Sequence, residues 1–310
     1  MVKRIKPNGR PFVKWVGGKR QLLESIEAAL PARVIDCESL TYIEPFVGGG
    51  AVLFHLLSVL PNIKKAVIND INPDLIGTYR TIRNDVDALI AFLSELQVEY
   101  RALGSEEARR ALYLDKRERY NSKELDVIEN SALFIFLNRT CFNGLHRVNS
   151  KGLFNVPFGK HQKPMICDEE ILRADSELLQ NVEILNGDFA RTLPYAFAGA
   201  LFYLDPPYKP LSTTSSFNSY SKDSFDDTEQ IRLKKFCDAI DECGAAWILS
   251  NSDVKSNDPT NDFFDNLYVD YQIERVWATR SVNANPEKRG RLTELLIGNI
   301  TPQSSLARYI

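Results

Sequence analysis

Short, mostly apolar runs that stop on polar or turn-forming residues recur along this 310-residue chain, and their lengths separate strands from helices. The runs 40–46, 65–70, 182–185, 200–204 and 245–249 are too short for surface helices and end at or beside glycine, proline, aspartate or serine. That pattern predicts strands buried on both faces. Two later stretches, 268–277 and 294–300, complete a set of seven. Residues 21–30, stopping at Pro31, and the apolar run 51–60 read as helices, so the chain from 40 to 70 is a strand, glycine loop, helix, strand unit. The prediction is a doubly wound, seven-stranded α/β sheet, mostly parallel and mixed at its last members. Between 74 and about 126 the pattern is helical and charged, with Leu89, Phe92, Leu93 and Leu96 on one face, and a further helix is predicted at 131–137. This interruption reads as a helical insert, residues 75–167, between two parts (1–74 and 168–310) of one α/β domain. The Ser/Thr-rich stretch 212–224 reads as a loop.

The chemistry concentrates at strand ends. The run 200–204 is cut off by Asp205-Pro206-Pro207-Tyr208. Proline has no N–H for a sheet ladder, so the strand stops and presents the acid at its carboxyl end, the edge of an open α/β sheet where ligands bind. An exocyclic amine on a nucleobase is conjugated to its ring and is a poor nucleophile. The Asp205 carboxylate and the Pro206 carbonyl could accept its two hydrogens and direct the lone pair outward, while the Tyr208 ring stacks on the base. An ordinary strand and turn would explain Pro206 and Pro207 but not the acid and tyrosine flanking them.

After the first strand, Phe46-Val47-Gly48-Gly49-Gly50 supplies a G-x-G turn, with Leu53 where a dinucleotide site places its third glycine. Asp70 ends the next strand, near the ~20-residue spacing at which an acid receives ribose hydroxyls. The pair suits a nucleoside without a pyrophosphate, such as the adenosine of S-adenosylmethionine; a tight structural turn is the alternative. Lys14-Trp15-Val16-Gly17-Gly18-Lys19 precedes a helix, where free N–H groups favour anions. Val13 and Arg20 stand where a phosphate-binding loop needs glycine and a hydroxyl residue, which argues against an ATPase. Trp15 either stacks on an adenine or a sulfonium, or packs in the core.

A net charge of −3 requires any nucleic-acid contact to come from local patches. Two exist: the first twenty residues carry Lys3, Arg4, Lys6, Arg10, Lys14, Lys19 and Arg20 with no acid, and 130–167 is acid-free. Either is also what a solvated face looks like. Five scattered cysteines with no CxxC pair read as reduced thiols of a cytosolic protein. His55, His146 and His161 are not spaced as ligands, so no metal is expected. Without a recognisable signal peptide or an apolar run near ~20 residues, a cytoplasmic protein with no membrane partner is expected.

Five motifs appear in one order: Lys14 to Lys19; Glu44-Pro45-Phe46-Val47-Gly48-Gly49-Gly50; Asn138-Arg139 with Phe142-Asn143-Gly144-Leu145-His146-Arg147; Phe154-Asn155-Val156-Pro157-Phe158-Gly159; and Asp205-Pro206-Pro207-Tyr208. In this the chain resembles, over nearly its whole length, the Dam-like (D12 class, alpha group) adenine-N6 DNA methyltransferases. The resemblance implies site-specific methylation of double-stranded DNA by a monomer that uses S-adenosylmethionine. It implies catalytic residues Asp205, Pro206, Pro207 and Tyr208. The cofactor site would be lined by Trp15, Gly17, Lys19, Glu44, Phe46, Gly48, Asp70, Asp188 and Asp205, with Asp188 at the cofactor's adenine. A target-recognition hairpin would lie at about 138–164 in the insert, and Arg139, Phe142, Asn143, Leu145, Arg147, His161 and Arg280 would touch DNA.

Arg147 matches an arginine that reads guanine, a contact worth ~1–3 kcal/mol of discrimination. Phe142 matches a ring that enters the stack when the adenine flips out, with phenylalanine where some members have tyrosine. Asn143 equally suits a turn-forming Asn-Gly. The stretch 280–291, with Lys288, Arg289 and Arg291, would clamp phosphates, or is a solvated loop. Flipping follows physically, since adenine N6 is engaged in pairing inside a duplex. GATC is the first site to expect and a longer site containing GAT the second; housekeeping, phage and restriction-associated roles stay open. Cytosine-N4 methylation and a DNA-binding protein without catalysis are the alternatives.

Overall fold

The computed structural model describes residues 9–15, 17, 19, 21–208, 225–279 and 291–299. Arg280 with the basic stretch after it, the loop 212–224 and the first basic residues lie outside the described residues. The elements begin with α1 (Leu23–Ala28), α2 (Ala32–Ile35), β1 (Leu40–Glu44), α3 (Ala51–Val59) and β2 (Ile63–Ile68). A helical series follows: α4 (Pro73–Asn84), α5 (Val86–Ala102), α6 (Glu106–Asn121), α7 (Val127–Thr140) and α8 (Glu169–Leu179). Then come β3 (Val182–Ile184), β4 (Ala200–Leu204), α9 (Asp227–Glu242), β5 (Ala246–Ser252), α10 (Phe263–Leu267), β6 (Gln272–Thr279) and β7 (Arg291–Gly298).

The sheet runs β3-β2-β1-β4-β5-β7-β6. β1 pairs parallel with β2 and β4, and β4 with β5; β7 is antiparallel to both β5 and β6. The doubly wound, mostly parallel sheet predicted from the sequence is therefore present, with its reversal at the last strand. The strand order changes direction between β1 and β4, the switch point at whose carboxyl edge open α/β sheets bind ligands. Every residue of β4 and β5 is buried, which is why these strands read as continuous apolar runs. Bounds shift at several strands, with β2 ending at Ile68, two residues before Asp70, and the last two strands differ most. β6 starts at Gln272 because Tyr268 instead closes α10 with its ring buried, and β7 starts at Arg291 because its first residues pair with the edge strand β6.

By internal contacts the chain forms two compact units: Met1–Gly18 with Val47–Pro61 and Asn69–Gly187, and Lys19–Phe46 with Asn62–Ile68 and Asp188–Ile310. In the first, α7 is buried from Ser131 to Asn138, packed by α4, α5 and α6, so its sequence shows no single apolar stripe. Asp126 caps α7 by accepting the Ile128 and Glu129 N–H groups at 2.9 Å each, which starts the helix ahead of its apolar run. In the second unit, α9 is capped by Asp226 and buries Leu233, Phe236, Cys237 and Ile240 at helical spacing. Phe236 meets Phe202 of β4 edge to face, with ring centroids 6.2 Å apart.

Candidate active site

The second unit gathers a charged cluster at the carboxyl edge of β1, β4 and β5. Asp205 follows β4, and its Oδ1 accepts the Lys19 ammonium at 2.7 Å and the Ser250 hydroxyl at 3.1 Å. Ser250 also shares a 2.9 Å hydrogen bond with Tyr203. Lys19 is only 5% exposed, and its Nζ lies 4.3 Å from the centre of the Tyr208 ring. The Tyr208 hydroxyl donates to Glu294 Oε2 at 2.6 Å, and Gln230 of α9 reaches the Pro207 carbonyl at 3.5 Å while accepting from Asn251. Glu44, buried at the end of β1, accepts the Tyr42 hydroxyl at 2.8 Å. Burial raises the Asp205 carboxyl above its ordinary value, and Lys19 opposes the shift. Burial, then the Asp205 and Glu294 charges, push the Tyr208 phenol far up, so it stays protonated.

Asp188, Phe46 and Phe189 are also in this unit. The Asp188 carboxylate is gripped by both terminal nitrogens of Arg232, at 3.1 and 2.7 Å, and this partner holds its pKa below the usual range. The same guanidinium lies 4.0 Å above the Phe189 ring, which packs on Phe46 at 5.2 Å.

In the first unit, the glycine loop and its downstream acid are directly bonded. Gly48 N–H donates to Asp70 Oδ2 at 3.0 Å and Asn72 N–H to Oδ1 at 2.9 Å; burial raises the Asp70 carboxyl, and these donors oppose it. Gly48 has φ +49°, and a Cβ there would stand 2.8 Å from the Trp15 ring, so only glycine permits the approach. Trp15 stacks on His146 at 5.6 Å and tilts toward Phe134. Gly17, with φ +83°, is exposed nearby in sequence.

The acid-free tract forms a hairpin over 141–158, pinned by bridges Cys141–Phe158 and Val148–Phe154. Asn143 (φ 56°) and Gly144 (φ 64°) are both left-handed, and a Cβ on Gly144 would strike Lys14. Asn138 binds this base together: its amide accepts Lys14 N–H and donates to the Lys14 and Gly144 carbonyls. Phe142 is 52% exposed, Asn143 is exposed and Leu145 is half-buried. Arg147 is exposed, with Nε donating to Asn155 Oδ1 at 2.7 Å and Nη2 to the Asn155 carbonyl at 3.3 Å. Arg139 and His161 face inward: Arg139 donates to the Phe12 carbonyl at 2.6 Å, and His161 Nε2 lies 3.3 Å from the Cys141 carbonyl.

Residues 15–282 match the model of the D12 class N6 adenine-specific DNA methyltransferases. The chain belongs to that family. It is 48% identical over 293 residues to the type II methyltransferase M.MjaIII of Methanocaldococcus jannaschii, covering 94% of this chain and 99% of the relative. The type II methyltransferase M1.LlaDCHI of Lactococcus lactis is 37% identical over 304 residues, covering 96% and 98%. A DNA adenine methylase of Vibrio cholerae is 34% identical over 288 residues, covering 93% and 95%. Membership decides for adenine over the cytosine-N4 alternative. Around the D12 residues read from sequence, the structure adds Ser250, Gln230, Glu294 and Arg232. The polar end of β5 was a signal for Ser250; Arg232, on a helix surface, gave none. Among the described residues no cluster of His, Cys, Asp and Glu could hold a metal, and no helix is long and apolar enough to cross a membrane.

Proposed function

We propose that this D12 enzyme moves the methyl group of S-adenosylmethionine to N6 of an adenine flipped out of double-stranded DNA, with GATC as its site. It would act as a monomer in the cytoplasm of a prokaryotic or phage-infected cell. The observation that carries the reading is Asp205, a half-buried carboxylate kept beside a cation at the end of β4 with the Tyr208 ring next to it. Oδ1 already accepts Lys19 and Ser250, so Oδ2 is the oxygen available to an adenine amine. Accepting one N–H there, and the other at the Pro206 carbonyl, would turn the nitrogen lone pair out of conjugation with the ring. The proton shed when N6 gains its methyl group would leave along the bond to Asp205.

The donor set fits the cofactor. Two carboxylates, Glu44 and Asp205, share one edge of the sheet with the Lys19 ammonium, a net negative charge that favours a sulfonium cation. Asp70 accepts backbone N–H groups of Gly48, Ile71 and Asn72, and its two oxygens, with about four lone-pair sites, still have capacity for a ribose hydroxyl. By the family resemblance, Trp15, Gly17, Gly48, Phe46 and Asp188 are likewise assigned to S-adenosylmethionine. When bound, S-adenosylmethionine supplies a methyl group already activated for displacement, so no covalent enzyme intermediate is required. In the hairpin, Phe142 would fill the gap left by the flipped base, Arg147 would read guanine, and Asn143, Leu145 and Arg280 would add contacts. Arg139 and His161 would support the hairpin from behind.

Modification-sensitive sequencing of DNA from cells expressing the chain tests base, position and site together. N6-methyladenine at GATC is the expected result; N4-methylcytosine, or no modified base, would overturn it. Methyladenine confined to a longer site would keep the chemistry and change the recognition.

A further inference from the structure

We propose that Glu294 is a positioning residue for methyl transfer, holding the Tyr208 ring by its phenol so that one fixed face meets the flipped base. The inference rests on the function proposed above. Tyr208 lies beyond the end of the β4 ladder, and the two residues before it are prolines, which have no N–H to tie that segment back to a neighbour. The Gln230 contact to the Pro207 carbonyl is long, at 3.5 Å. The short contact is the phenol's 2.6 Å donation to Glu294, an O–H···O⁻ bond of the strong, charge-assisted kind.

Glu294 is itself held by the sheet rather than by a loop. It sits on β7, in register with Ser252 of β5 on one side and Val276 of β6 on the other. Ser252 is buried, and two residues before it Ser250 holds Asp205. β5 and β7 therefore fix the two reacting-site side chains separately, Ser250 the acid and Glu294 the ring. The phenol remains a donor because burial and the two nearby carboxylates all oppose its ionisation. A stacking platform works only if its plane is set before the base arrives, and a tyrosine anchored at the hydroxyl cannot swing about its Cα–Cβ bond. Lys19 also lies 4.3 Å from the ring centre, but a cation over a ring face is a non-directional contact, and the hydrogen bond that anchors the ring is the one to Glu294.

The test uses the purified full chain, S-adenosylmethionine and a duplex carrying the modified site. Glu294→Ala is expected to lower kcat by roughly ten- to a hundred-fold, with KM for S-adenosylmethionine within about two-fold of wild type. Glu294→Gln, which keeps an acceptor, should recover most of the rate. Tyr208→Phe keeps the ring and loses the donor, so it should match Glu294→Ala, and the double variant should be no slower than either single one. With 2-aminopurine at the target position, Glu294→Ala should fluoresce more strongly than wild type, because the extruded base stacks less. Wild-type kcat in Glu294→Ala, or losses that multiply in the double variant, would overturn the proposal. So would an unimpaired Tyr208→Phe, even if Glu294→Ala failed to fold. A fully active Asp205→Asn would instead contradict the proposed site chemistry, and the inference with it.

Discussion

Lys19 is 5% exposed and touches Asp205 at 2.7 Å, whereas Phe142 in the hairpin leaves 52% of its surface in solvent. Around Asp205 the polar atoms are paired within the protein: Lys19 and Ser250 on the acid, Glu294 on Tyr208, Tyr42 on Glu44. In the hairpin, Asn143 and Arg147 are exposed, and among the described residues the Arg147 guanidinium donates to Asn155 alone, through Nε and Nη2. The contrast fits the two tasks proposed for these regions. A site that redirects a lone pair gains from dipoles fixed in a dry environment before the substrate arrives. A reading head needs donors whose partners come from DNA, and pre-satisfying them would remove discrimination.

The comparison can be broken from either side. Asp205→Asn keeps the shape but loses the charge; a fall in kcat of roughly a hundred- to a thousand-fold is expected, with DNA affinity nearly unchanged in a gel-shift titration. Equal losses of rate and affinity would show that the two regions are not separable. Arg147→Ala should relax discrimination at one guanine by ~1–3 kcal/mol when rates on matched and substituted duplexes are compared. A uniform loss across all sequences would assign Arg147 to a phosphate.

Lys19→Met acts on pH dependence. Burial raises the Asp205 carboxyl and Lys19 draws it back down, so removing the ammonium raises it further. Less of Asp205 is then ionised at a given pH, and the acid limb of the kcat/KM profile should move to higher pH. An unmoved limb would mean that another group controls it. The smallest effect is expected at Phe142→Ala, which should reduce 2-aminopurine emission at the target by less extrusion while leaving the methyl-transfer step intact once the base is bound. Unchanged emission would remove Phe142 from the flipping role.

Much of this was legible in the chain itself. β4 and β5 are buried on both faces, so their apolar runs and abrupt polar ends mark the edge that carries Asp205 and Ser250 directly. Asp70 and Gly48 could be paired because a strand-end acid and a glycine turn have a known spacing, and the structure joins them by a 3.0 Å hydrogen bond. Glu294 was harder to read. Its partner Tyr208 is 86 residues away in sequence, and only the antiparallel pairing of β7 with β5 brings the two together. Arg139 shows what charge patterning leaves out: it stands in an acid-free tract, and its guanidinium donates to the Phe12 carbonyl 127 residues away, a contact that local charge does not indicate. Local charge records which residues can meet phosphate, but packing decides which of them face outward.

The most direct measurement is mass spectrometry of nucleosides from unmodified duplex DNA incubated with the purified chain and methyl-labelled S-adenosylmethionine. Labelled N6-methyladenine is expected from the wild-type protein, and at most about a hundredth as much in the same time from Asp205→Asn bound to the same DNA. Label in cytosine, no label in DNA, or equal label from the two proteins would contradict it.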